Sequence, residues 1–191
     1  GNRGVDFEEL KWLQPGLSWS PDSKKIVFAA KAGKSDVLHV VEVETGKGEK
    51  YELDIEGVFS ASWSPLGNEI AYVGQSGNSS DIYIFDLNTQ ISKKITNDIF
   101  SDSYPTWSGD GKNIAFVSDR GNEISGAYDG FMYEHDYSQT DIYFVNVETK
   151  KVHRVTNTNH NESHPVWSKT SDNIFYTSDH NGVWNLYRHP I

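Results

Sequence analysis

Four times along the chain a short run of alternating β-branched, aromatic and small residues follows a Trp-Ser step. The runs are Ile26-Val27-Phe28-Ala29, Ile70-Ala71-Tyr72-Val73, Ile114-Ala115-Phe116-Val117 and Ile174-Phe175-Tyr176-Thr177. A second run then opens on Asp or Asn: Asp36-Val37-Leu38-His39-Val40, Asp81-Ile82-Tyr83-Ile84-Phe85, Asp141-Ile142-Tyr143-Phe144-Val145 and Asn185-Leu186-Tyr187. Turn residues follow the first three, at Glu44-Thr45-Gly46, Asn88-Thr89-Gln90 and Glu148-Thr149-Lys150, and a last apolar step closes those units near Tyr51, Ile95-Thr96 and Val155-Thr156. Such runs, punctuated by Gly, Pro, Asn and Asp, predict short strands joined by tight turns, four to a unit.

The anchors of the repeat are Trp19-Ser20-Pro21-Asp22, Trp63-Ser64-Pro65-Leu66, Trp107-Ser108-Gly109-Asp110 and Trp167-Ser168-Lys169-Thr170, spaced by 44, 44 and 60 residues. A period in the forties signals a repeat architecture. One four-stranded sheet cannot cover both its faces, so neighbouring units must stack, and radial stacking leaves only short protected edges. The expected fold is therefore all-β, a β-propeller of four-stranded antiparallel blades, about four of them in this chain. Each Trp is expected to fill the gap between neighbouring sheets as core.

The repeats resemble those of the TolB-like, or WD40-like PD40, β-propellers. The third unit carries the resemblance furthest, with Trp107-Ser108-Gly109-Asp110-Gly111-Lys112-Asn113-Ile114-Ala115-Phe116-Val117-Ser118-Asp119-Arg120 and later Asp141-Ile142-Tyr143. The other units depart from it: Ser23 and Leu66 replace its Gly and Asp, and the fourth reads Lys169-Thr170-Ser171-Asp172. The resemblance implies six or more blades in a complete ring and a cell-envelope, periplasmic setting; a cytoplasmic one stays open. Fold alone does not assign function.

The blades are expected at 16–54, 55–98, 99–158 with an inserted loop at 121–140, and 159–191. The fourth lacks its last strand, and residues 1–15 would supply the outer strand of a preceding or ring-closing blade. Two readings stay open: a closed ring of four blades, or a fragment whose open edges and apolar faces associate.

Composition narrows the partners. A formal charge of −10, from 27 acids against 17 bases, lacks the basic face that nucleic acid requires. There is no cysteine, hence neither disulfide nor thiolate site, and no apolar stretch long enough to span a membrane.

Candidate chemistry gathers on the face where one blade crosses to the next. The inserted loop combines Tyr128, Asp129, Phe131, Tyr133, Glu134, His135 and Asp136, and a long aperiodic loop is often functional. Three residues before each Trp stand Gly16, Ser60, Tyr104 and His164, near the channel mouth and unlike one another. With Phe59, Phe100, Asp102, Tyr128, Phe131, Tyr133 and His160, the residues Tyr104 and His164 make the expected partner-binding set, since aromatics among a few polar groups are what interface anchors look like. A metal could draw on His135, His160, Glu162 and His164, and calcium on Asp98, Asp102, Asp129, Glu134 and Asp136; solvated loop residues are the competing reading. No Gly-x-Ser-x-Gly elbow or marked nucleophile exists.

Three functions remain. The first is a non-catalytic propeller holding a protein or peptide partner. The second is the docking or gating propeller of a larger enzyme, similar to those of prolyl-oligopeptidase-like and tricorn-like peptidases. The third is a metal-dependent polysaccharide lyase.

Overall fold

The computed structural model describes residues 17–32, 35–123 and 135–191. Among the described residues, fifteen strands form four antiparallel sheets, each folded as a meander so that sequence order is spatial order. The first holds β1 (Ser18–Trp19), β2 (Lys25–Ala32), β3 (Ser35–Glu42) and β4 (Gly48–Glu52). The second holds β5 (Gly57–Trp63), β6 (Glu69–Ser76), β7 (Ser79–Asp86) and β8 (Ile91–Lys94). The third holds β9 (Asp102–Trp107), β10 (Asn113–Ser118), β11 (Asp141–Asn146) and β12 (Val152–Arg154). The fourth has β13 (Glu162–Trp167), β14 (Asn173–Ser178) and β15 (Asn185–Pro190).

The Trp-Ser-Pro turn is built by its own side chains. Ser20 Oγ accepts from the Lys25 amide at 2.8 Å and donates to Asp22 at 2.6 Å, and Ser108 repeats both contacts with Asn113 and Asp110. These serines are turn hydrogen-bonders, the kind of local bond that Ser and Asp side chains offer the backbone.

The core lies between sheets. Trp63 packs with Val27, Leu38 and Val40 of the first sheet as well as with Ile70 and Tyr72 of its own. Trp107 does the same against Ala71, Val73, Ile82 and Ile84, and Trp167 against Ala115, Val117 and Ile142. Each is thus a wedge pressed into the sheet before it; Trp107 also donates its indole N–H to the Ser62 carbonyl across the gap, at 3.0 Å. Trp19 corrects the expectation that all four are core. It is 52% exposed against 6–8% for the others, because no described residue forms a preceding sheet to cover it.

Aspartates tie the crossings to the sheets. Asp36, at the head of β3, accepts from the Val58 amide at 3.0 Å; Asp81 and Asp141, at the same place in β7 and β11, accept from Asp98 and Thr158 at 3.4 Å. Asp119 and Asp179, just past β10 and β14, hold the Ser101 and Asn161 amides at 2.9 and 2.8 Å. The Asp that begins the second run of each of the first three units is therefore a clamp on the crossing face.

Candidate functional site

The inner strands carry an irregularity at one level. In β5, β9 and β13 the register slips opposite Val73/Tyr72, Phe116 and Tyr176, leaving Ser60, Tyr104-Pro105 and His164-Pro165 outside the regular ladder. At each slip the backbone turns left-handed, with φ of 41° at Ser60, 53° at Tyr104 and 51° at His164. That region costs a non-glycine residue on the order of 1–2 kcal/mol, and bulky residues seldom occupy it. Bulges of this kind re-aim side chains and gather at rims and binding sites.

What the bulges aim is an aromatic pair. The Tyr104 and His164 rings, from adjacent sheets, lie 4.5 Å apart at an interplanar angle of 43°. His164 is exposed, and Thr177 Oγ1 stands 3.5 Å from its Nδ1. Tyr104 is half-buried, and burial pushes its phenol above the usual range.

Other candidates turn inward. Phe100, expected on the contact surface, is 1% exposed, and Asp102 is fully buried. The reason is Arg120, which donates to Asp102 at 2.6 Å, to Asp98 at 2.9 Å and to Ser118 Oγ at 3.0 Å. Its guanidinium lies 5.3, 5.6 and 5.7 Å from the ring centres of Phe116, Tyr143 and Phe100, within cation–π range. Asp98 and Asp102 are thus counter-ions of an internal cation and not calcium ligands. Analogous pairs join Asp81 to Lys94 at 2.8 Å and Asp141 to Arg154 at 2.5 Å.

The proposed metal set does not converge either. Glu162 is buried and accepts from Thr158, Thr156 and Ser178 at 2.7–3.2 Å. His135 leans on Asp119, 3.4 Å away, and on the Phe100 ring. His160 faces the His180 ring 4.6 Å away and His164 faces Tyr104, while Asp136 accepts from Ser138. Among the described residues no group of three or more His, Asp or Glu could hold a metal ion. Tyr128, Asp129, Phe131, Tyr133 and Glu134 lie outside the described residues, as does the N-terminal segment 1–15.

Glu162 has a testable titration. Burial, and then the Asp141 charge, raise its pKa above the usual 4.5. A carboxyl raised on folding contributes its stability below the unfolded value and loses it as pH climbs through the folded one. Glu162→Gln is therefore expected to raise the thermal midpoint at pH 7 and to leave it unchanged near pH 4; an equal shift at both would refute the assignment.

The sequence profile of the TolB β-propeller domain, PD40, matches residues 11–125, more than half of the chain. The chain belongs to the TolB β-propeller family. Solved structures agree on the fold. A TolB of Agrobacterium tumefaciens superposes with a TM-score of 0.72 at 21% identity, over 86% of this chain and 54% of that one. The TolB of Acinetobacter baumannii gives 0.67 at 22%, over 92% and 43%, and the tricorn protease 0.59 at 22%, over 86% and 16%. No curated protein sequence matches. This TolB-like chain spans about half the length of the TolB structures it resembles.

Within the TolB-like frame, Arg120 ends the Ser118-Asp119-Arg120 motif of the third repeat. The corresponding place in the fourth, after Ser178-Asp179, is His180. The internal cation is thus written in the motif, while its two carboxylate partners lie 18 and 22 residues before it.

Proposed function

We propose that this TolB-like propeller is non-catalytic and holds a protein or peptide partner on its crossing face, in the cell envelope. The observation that carries the proposal is the Tyr104–His164 pair. Two non-glycine residues are kept in left-handed backbone at matching bulges, where glycine would relieve the strain. Tyr104 is half-buried against the core beside Trp167, whereas His164 is exposed, and an aromatic pair at a channel rim suits a partner's side chain or extended backbone. His160 extends the proposed contact set along the same crossing. Family membership supports the envelope location, and fractionating the native host checks it.

The test compares the parent chain with Tyr104→Gly and His164→Gly in cross-linking to envelope extract, with partners identified by mass spectrometry. His164→Gly is expected to keep or slightly raise the thermal midpoint, since relief of left-handed strain offsets glycine's unfolded-state entropy, about 0.4–1 kcal/mol. Both substitutions together are expected to cut capture of a defined partner at least about tenfold, or about 1.4 kcal/mol. Unchanged capture would overturn the proposal.

The second reading is a docking propeller beside a catalytic region, favoured by the small share, 16%, of the tricorn protease chain that this fold occupies. Sequencing the native gene on both sides of residues 1–191 separates the two: a downstream nucleophile elbow would favour docking.

A further inference from the structure

At the end of the inner strands away from the crossing face, the four Trp-Ser turns surround a recess of about 300 Å³, the small end of the range for ligand pockets. All four sheets line it, through Ser18-Trp19, Ser62-Trp63, Thr106-Trp107 and Val166-Trp167 and the turns that follow them. Trp19 and Val166 are its exposed apolar walls, at 52% and 58%.

Most of the polar groups around it are already engaged. Ser18 Oγ accepts from the Trp63 amide at 2.9 Å and Ser64 Oγ from the Leu66 amide at 3.3 Å. Ser20 and Ser108 donate to Asp22 and Asp110 at 2.6 Å, and the Trp63 and Trp107 indoles donate to the Gly67 and Ser62 carbonyls at 3.0 Å. Lys169 is different. It is exposed, enters no ion pair among the described residues, and is the one charged side chain in a lining that holds no Asp or Glu.

Lys169 also departs from its repeat. The same place after Trp-Ser holds Pro21, Pro65 and Gly109 in the other units, residue types that a turn favours and lysine is not among them. Its backbone is held by the third turn: a Cβ on Gly109 would stand 3.2 Å from the Lys169 carbonyl oxygen, so the two turns pack main chain against main chain.

The charge balance selects the ligand. A cation would meet an ammonium and no carboxylate. A polyanion would be opposed by the net charge of −10, with a single cation to receive it. A purely apolar ligand would cover the ammonium without pairing it, which is costly. One carboxylate on an apolar body pairs with Lys169 through a charge-assisted hydrogen bond, about twice as strong as a neutral one, and takes the surface of Trp19 and Val166 out of water.

We propose that this recess binds a monocarboxylate with an apolar body, the carboxylate on Lys169 and the body against Trp19 and Val166. A free carboxylic acid and the C-terminus of a peptide both present this chemistry. The site lies at the opposite end of the inner strands from Tyr104 and His164 and is independent of the partner surface there.

Isothermal titration of the full chain at pH 7 with phenylacetate and hexanoate, each against its amide, tests the proposal. A second arm uses the tetrapeptide glycyl-seryl-glycyl-phenylalanine with a free and with an amidated C-terminus. At least one carboxylate is expected to bind about tenfold tighter than its amide, equivalent to about 1.4 kcal/mol: the small acids if the source is a free acid, the peptide alone if it is a chain terminus. Lys169→Gln is expected to abolish that preference and Trp19→Ala to weaken carboxylate binding about tenfold, with melting curves confirming that both variants fold. Tyr104→Gly is expected to leave binding unchanged. No binding in either arm at millimolar ligand, an amide that binds as well as its acid, or a preference that survives Lys169→Gln overturns the proposal; none of these results bears on partner capture.

Discussion

Replacing Arg120 with methionine is expected to lower the unfolding free energy by about 3–5 kcal/mol at neutral pH, the cost of leaving buried charge without its partner. Arg120 is 1% exposed and is the cation shared by Asp98 and Asp102. The pH dependence gives the signature. Burial pushes the Asp102 carboxyl up to about 6, from the usual 3.8, even with the guanidinium beside it. Its folded form therefore favours the proton, and that contribution is present below the unfolded value and lost as pH rises toward 6. Without Arg120 the carboxyl rises further. The variant should then lie closest to the parent near pH 4 and fall furthest behind it above about pH 7. Urea unfolding across that range checks this, and adding Asp98→Asn and Asp102→Asn should restore much of the loss. A deficit that is flat with pH would mean that Arg120 acts through packing alone.

Trp107→Ala is expected to cost about 3–5 kcal/mol, from lost burial plus the cavity left between two sheets. The indole bond to the Ser62 carbonyl goes with it. Trp19→Ala, at the same repeat position but half exposed, should cost no more than about 1 kcal/mol. Paired chemical-denaturation curves decide the matter. Equal losses would mean that the repeat motif stabilises its own turn and does not wedge into the neighbouring sheet.

The contrast between these tryptophans marks how far the sequence could be read. The Trp-Ser spacing and the two apolar runs after it gave the meander, its strand order and the wedge role, because all are local signals repeated at fixed offsets. Burial of Trp19 was not legible, since it depends on a neighbour and not on the motif. Phe100 and Asp102 misled for a related reason: both lie in or beside a crossing, and crossings are usually exposed. What draws them inward is a guanidinium some twenty residues downstream, brought back by the β9–β10 hairpin. The motif Ser118-Asp119-Arg120 held only part of that signal, since Arg stands at this place in the third unit and His180 in the fourth. The left-handed bulges left no trace at all. Tyr104 and His164 are followed by proline, which suits an irregular strand, but neither is a residue type that announces positive φ. Position three before each Trp could be singled out only because its occupants differ.

Those bulges also separate geometry from identity. The sheets require one left-handed residue at each of positions 60, 104 and 164, a requirement glycine would meet with least strain, and they place whatever side chain occurs there at the same height on the rim. Each position is a socket. Exchanging the occupants of neighbouring blades, Ser60 for Tyr or Tyr104 for Ser, would rotate the chemistry of the rim by one blade, at the cost of the packing that Tyr104 makes beside Trp167. The recognition pattern of the rim can then vary blade by blade on one repeated backbone geometry.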